Sequence, residues 1–64
     1  MVVKVNGKDV CFDEVVDVFD THGPYCQEVE DQGEDKNGVT YSAIAMYEFD
    51  EITEVEEDSI EVVE

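Results

Sequence analysis

Apolar residues recur along this chain at two different spacings, and each spacing predicts a different element. Val39 to Phe49 is the longest stretch nearly free of formal charge, broken only by Glu48, and it contains no Gly or Pro. Rich in β-branched and aromatic residues, it reads as a strand interior to a sheet. Alternation puts Val39, Tyr41, Ala43, Ala45, Tyr47 and Phe49 on one apolar face, and Thr40, Ser42, Ile44, Met46 and Glu48 on a mixed one. Met1 to Phe12 alternates as well, around Asn6-Gly7. That dipeptide is the signature of a two-residue hairpin turn, which needs positive φ at both central positions. The turn sets Val5 opposite Lys8, Val3 opposite Val10 and Met1 opposite Phe12. Met1, Val3, Val5, Val10 and Phe12 then share a face.

Between these stretches the spacing changes. Phe12, Val15, Val16 and Phe19 stand at i, i+3, i+4 and i+7, which predicts a helix over Asp13–His22. Asp13 suits its N-cap, Glu14 the positive end of its dipole, and Gly23-Pro24 its stop. The face opposite the apolar stripe carries Asp13, Glu14, Asp17 and Asp20. Tyr25 to Gln32 then reads as a strand, returning through a Gly33–Gly38 loop to pair antiparallel with Val39–Phe49. Cys26, Glu28 and Glu30 share one of its faces, and Tyr25, Gln27, Val29 and Asp31 the other. Residues 50–64 admit three readings. One is a helix on Ile52, Val55, Ser59, Val62 and Val63; another is a short helix over 50–57 and a closing strand over 59–63; the third is a partly disordered acidic tail. The expected fold is α+β, one domain over residues 1–64: a small antiparallel sheet of four to five strands with one amphipathic helix packed on it.

Charge changes the picture most. Nineteen acidic side chains face three lysines and no arginine, a formal net charge of −16. Direct nucleic-acid binding requires a basic footprint and is excluded, as is attraction to anionic membrane surfaces. Basic proteins are the expected partners, engaged by a monomer or a homodimer. At 42% apolar residues, the chain is patterned well enough to fold rather than stay disordered. No hydrophobic run reaches membrane-spanning length, and residues 1–4 lack the features of a signal peptide, so the expected location is the cytoplasm of a bacterial host.

Familiar site chemistries find little support. Setting Gly38 or Gly33 at the sixth position of a calcium-binding EF-hand loop puts Ile44 or Val39 where a carboxylate must close it. Cys11, His22 and Cys26 lack the knuckle spacing of a zinc site. The cysteines read as packing residues and His22 as a cation at the helix C-terminus. Ser42, Ser59 and His22 form no nucleophile–base motif. The expectation is a non-enzyme without a cofactor.

What remains is the carboxylates as an array. Same-face strand neighbours lie about 6.6 Å apart, and helical i,i+3 and i,i+4 neighbours about 5–6 Å apart. Duplex DNA carries one charge per about 1.7 Å of axis. Asp13, Asp17 and Asp20, Glu28 and Glu30, and Glu54, Glu56, Glu57 and Asp58 are the candidate partner-binding clusters. In size, charge and α+β patterning the chain resembles the small acidic DNA-mimic inhibitors, many of them phage-encoded: anti-restriction proteins, anti-CRISPR proteins and uracil-DNA glycosylase inhibitors. Glu57-Asp58-Ser59-Ile60 resembles an acidic-Ser-Ile segment of the last group. The resemblance implies an inhibitor that fills the nucleic-acid groove of a basic bacterial protein. The alternatives are an acidic interaction module acting elsewhere and a salt-adapted small domain.

Overall fold

The computed structural model describes residues 1–63. It is an antiparallel meander built almost wholly of strands: β1 (Val2–Val5), β2 (Lys8–Thr21), β3 (Cys26–Glu34), β4 (Thr40–Glu48), β5 (Glu51–Val55) and β6 (Glu61–Val62). A single 3-10 turn, Glu57–Ser59, joins the last two. Strand order follows the chain from β1 to β5, and β6 pairs with β4 beyond the end of β5. The sheet curls until β5 touches β2. Its concave face holds the core: Val10, Phe12, Val29, Tyr41, Ala43, Ala45 and Val55, with Val3, Val5, Ile52 and Ile60 packed against them.

The first hairpin follows its turn chemistry. Asn6 and Gly7 both take positive φ, and Val5 pairs with Lys8 and Val3 with Val10. Met1 and Phe12 exchange backbone hydrogen bonds of 2.9 and 2.8 Å. In β4 the apolar face is the buried one, with Tyr41, Ala43 and Ala45 in the core. The expected β3–β4 ladder forms, although β3 runs on through Gly33 to Glu34.

The expected α+β architecture is wrong, because residues 13–21 are strand and not helix. β2 runs for 14 residues and pairs with β3 in a register interrupted three times. Asp13, Val16 and Phe19 each lack a partner, so from Asp13 to Phe19 every third residue of β2 is a β-bulge. Phe12, Val15 and Val18 then oppose Gly33, Asp31 and Val29 on the concave face. Glu14, Asp17 and Asp20 oppose Gln32, Glu30 and Glu28 on the convex face. The apolar spacing near three that suggested a helix is the period of a regularly bulged strand. Gly23 does take positive φ, as expected, but inside a β2–β3 turn. His22 therefore caps no helix and instead lies 3.6 Å from the Asp20 carboxylate.

Residues 50–63 match none of the three readings in full. Glu51–Val55 is a strand where a helix was expected, and only the closing strand survives, as the two-residue β6. Glu64 lies outside the described residues. Cys11 is exposed rather than packed, and Cys26 lies at the other end of the β2–β3 ladder.

Two positions tie β3 down. A Cβ at Gly33 would run into the backbone carbonyl of Cys11, so β2 and β3 can approach there only through glycine. Asp35 organises the β3–β4 turn. Its Oδ1 accepts the Asn37 and Val39 N–H groups at 2.8 and 3.1 Å, and its Oδ2 accepts the Tyr41 hydroxyl at 3.1 Å. Burial pushes the Asp35 carboxyl up, but those three donors and the nearby Lys8 outweigh it and hold it below the ordinary range.

Candidate functional site

The convex face of the sheet gathers most of the acidic side chains. Cross-strand rungs run Asp17–Glu30–Ile44 and Asp20–Glu28–Met46–Glu54, with Cys26–Glu48–Glu51 beyond them. Two of the expected clusters thus merge, though not on a helix. Asp17 sits directly opposite Glu30, and Asp20 directly opposite Glu28. Opposed residues lie about 4.5–5.5 Å apart at Cβ, close enough for like charges to repel. Along β3 the two pairs follow each other at about 6.6 Å.

Little inside the molecule offsets this repulsion. Among the described residues, Lys4 and Asp9 form an ion pair at 3.6 Å, and the His22 imidazole lies 3.6 Å from the Asp20 carboxylate, all four groups being exposed. Glu30 accepts a hydrogen bond from the Ser42 hydroxyl at 3.1 Å. Asp17 and Asp20 each accept the N–H of the following residue, Val18 and Thr21, at 2.9 Å. Glu28 and Glu30 are half-buried between β2 and β4.

The remaining expected residues are scattered. Asp13 occupies the first bulge, unpaired with β3 and apart from Asp17 and Asp20. Glu54 joins the convex face across Met46, three strand spacings (about 14 Å) from Asp20. Glu56 hands its N–H to the Ile44 carbonyl at 2.9 Å, and Glu57 and Asp58 open the 3-10 turn. The convex face therefore has carboxylates on β2 and β3 and again on β5, with half-buried Ile44 and Met46 between them. No group of three or more His, Cys, Asp or Glu among the described residues could hold a metal ion. Among the described residues, no helix is long and apolar enough to cross a membrane.

Several features were not read from the sequence. Glu48 and Glu51 form a further carboxylate rung, visible only once the β4–β5 hairpin is known. Tyr25 and Phe49 stack at the end of the sheet, with ring centroids 5.0 Å apart and planes inclined by 15°. Phe49 was expected on the apolar face of its strand; it lies in the turn and is 71% exposed. Asp31 is the reverse case, an acid with no exposed surface on the concave face between Val15 and Ala43. Neither of its carboxylate oxygens makes a good hydrogen bond. Burial pushes its carboxyl up to about 6, against the pull of the nearby Gln32 and Glu14 N–H groups and the N-terminal ammonium, with Asp13 adding to the rise.

No protein-family model, curated protein or solved structure matches the chain.

Proposed function

We propose that this chain is a non-enzymatic inhibitor that occupies the nucleic-acid-binding groove of a bacterial defence or DNA-processing protein, in the manner of the phage anti-CRISPR and anti-restriction proteins. The observation that carries the reading is the pairing of Asp17 with Glu30 and of Asp20 with Glu28 across two strands, without a lysine or arginine beside either pair. Such pairs cost stability in the free protein, and that cost is relieved when cationic side chains enter between them. A groove lined with Lys and Arg for phosphates supplies those cations.

The dimensions support the same reading. The molecule measures 36 × 19 × 18 Å, so its length is close to one helical turn of duplex, about 34–36 Å. Its formal charge of −16 spread over that length gives one charge per about 2–2.5 Å, against about 1.7 Å in the duplex. Ile44 and Met46 between the carboxylate rows add an apolar strip whose contribution salt does not screen.

A pull-down from bacterial lysate, with and without excess duplex DNA, tests the proposal. Displacement of a nucleic-acid-binding protein by DNA is the expected result. A partner retained in saturating DNA would overturn it and favour an interaction module acting away from the groove.

A further inference from the structure

The end of the sheet formed by residues 22–25 and 49–50 differs from the rest of the surface in three ways. First, its backbone is strained to present an aromatic ring. Phe49 and Asp50 have φ of 51° and 67°, forming the two-residue turn of the β4–β5 hairpin. Aspartate tolerates this region, but a bulky residue in it is an outlier, and glycine or asparagine is the ordinary occupant. Strain of this kind collects where a side chain is held for recognition.

Second, that ring is not used to build the core. Phe49 and Tyr25 are 71% and 64% exposed, and they stack on each other while the Phe49 N–H donates to the Tyr25 carbonyl at 3.1 Å. With Pro24, Gln27, Tyr47 and Asp50 they line an open depression. Third, charge is polarised along the strands. Lys4, Lys8 and Lys36 all lie toward the opposite end, near the Asn6-Gly7 and 35–38 turns. The aromatic end carries Asp20, Glu28, Glu48, Asp50 and Glu51, with His22 as its one basic side chain.

We propose that the Tyr25–Phe49 stack, which opens beside Gln27 and Tyr47 on the concave side of this acidic sheet end with Asp50 at its rim, is a docking anchor that receives an arginine side chain of the basic partner. The inference rests on the reading of the acidic face as the partner-binding surface and goes further by naming the recognised group. A guanidinium is planar and weakly hydrated; it stacks on an aromatic face while its N–H groups reach neighbouring carboxylates. A lysine ammonium satisfies the carboxylates but has no plane to lay on the rings. The partner's cationic side chains meet no competing lysine at this end, whereas Lys4, Lys8 and Lys36 crowd the other.

The test uses dye-labelled hexaarginine and hexalysine peptides, titrated with the whole chain and followed by fluorescence anisotropy at 0.15 M salt. The chain is expected to prefer the arginine peptide by about 2–5-fold, the range of an exposed cation–π contact. Phe49→Gly removes the ring and suits the turn's positive φ, so it should abolish the preference while leaving hexalysine affinity and the urea midpoint unchanged or raising the midpoint. Tyr25→Leu, which leaves the turn intact, should also abolish it and stands in if the glycine variant does not fold. Equal affinity of the unaltered chain for both peptides overturns the proposal, as does a preference that survives both substitutions. DNA competition is separate: a partner that DNA fails to displace sinks the groove reading and leaves an arginine preference standing.

Discussion

Replacing Asp31 with asparagine isolates the energetic consequence of a buried, unpartnered carboxylate while nearly preserving its shape. In the folded chain this carboxyl is pushed up to about 6 from an ordinary 3.8. A raised folded value means that the fold holds the Asp31 proton more tightly than the unfolded chain does. Ionisation therefore works against folding, and the penalty grows as pH rises from about 4 to about 6 and is complete by pH 7. The rise from 3.8 to about 6 corresponds to about 3 kcal/mol at most, since each tenfold change in proton affinity is about 1.4 kcal/mol. Water reaching the carboxylate during fluctuations, and the nearby N–H groups, bring the expected penalty to about 1–2 kcal/mol. The asparagine amide cannot ionise, so Asp31→Asn should stabilise the fold by about that amount at pH 7 relative to its offset at pH 4.

Urea unfolding of both proteins at pH 4, 5, 6 and 7, followed by far-ultraviolet circular dichroism, measures this directly. Lowering the pH also neutralises surface carboxylates and relieves repulsion across the convex face, but that contribution is common to both proteins and cancels in the difference. The quantity of interest is the variant-minus-parent stability plotted against pH. It should climb between pH 4 and pH 6 and then level off. A flat difference would mean that Asp31 has the same affinity for its proton in both states, and that its carboxylate is satisfied in solution. A difference that falls with rising pH would mean that the ionised form is the one the fold stabilises.

Three further substitutions separate fold from function. Gly33→Ala forces a Cβ into the Cys11 carbonyl and should destabilise by about 2–4 kcal/mol or prevent folding, read by thermal melting. Glu28→Lys replaces the Asp20–Glu28 repulsion with an attraction; it should gain about 0.2–1 kcal/mol of stability while losing the partner in a pull-down, so a variant that still binds normally removes this rung from the interface. Asp35→Asn cannot offer two carboxylate oxygens to the Asn37 and Val39 N–H groups and the Tyr41 hydroxyl, and should lower the melting temperature. Because the folded Asp35 carboxyl is held below its ordinary value, the stability it confers is present above the ordinary carboxylate range and is lost as pH falls through it. The Asp35→Asn deficit should therefore shrink in acid, opposite in sense to the Asp31→Asn gain, which is a neutral-pH effect.

Where local chemistry determines local geometry, the chain could be read directly. Asn6-Gly7 is a turn that few other residues could form, and it sets the β1–β2 register and with it the burial of Val10 and Phe12. The alternation in β4 named its buried face because one side of the strand carries only apolar residues. Glu28 and Glu30 were placed on one face by strand alternation alone. Asp17 and Asp20 were grouped correctly as neighbours, since any element of period near three keeps them together. That they face Glu28 and Glu30 was not legible, because cross-strand register is a property of two segments, and the period of three that marks the bulges in β2 is shared by a helix.

The helix expected over 13–22 shows where period is ambiguous. Phe12-Asp13-Glu14, Val15-Val16-Asp17 and Val18-Phe19-Asp20 form three successive triplets, each opening on an apolar residue and closing on an acid. A helix reads this as a stripe and an anionic face; a strand bulged at every third residue reads it as a concave row and a convex row. Composition discriminates between them. Three valines, a phenylalanine and a threonine in nine residues favour extended backbone, and a helix would restrict those side chains against its preceding turn. The acids do not decide between the two, because they repel along a helix face and again across the strands from Glu30 and Glu28; in the bulged strand Asp17 and Asp20 do accept the N–H groups of Val18 and Thr21. The bulges thus place Val15 and Val18 against the concave side, set Asp17 and Asp20 opposite the β3 glutamates, and increase the curl that brings β5 toward β2. One local device accounts both for the missing helix and for the double row of carboxylates on which the proposed function rests.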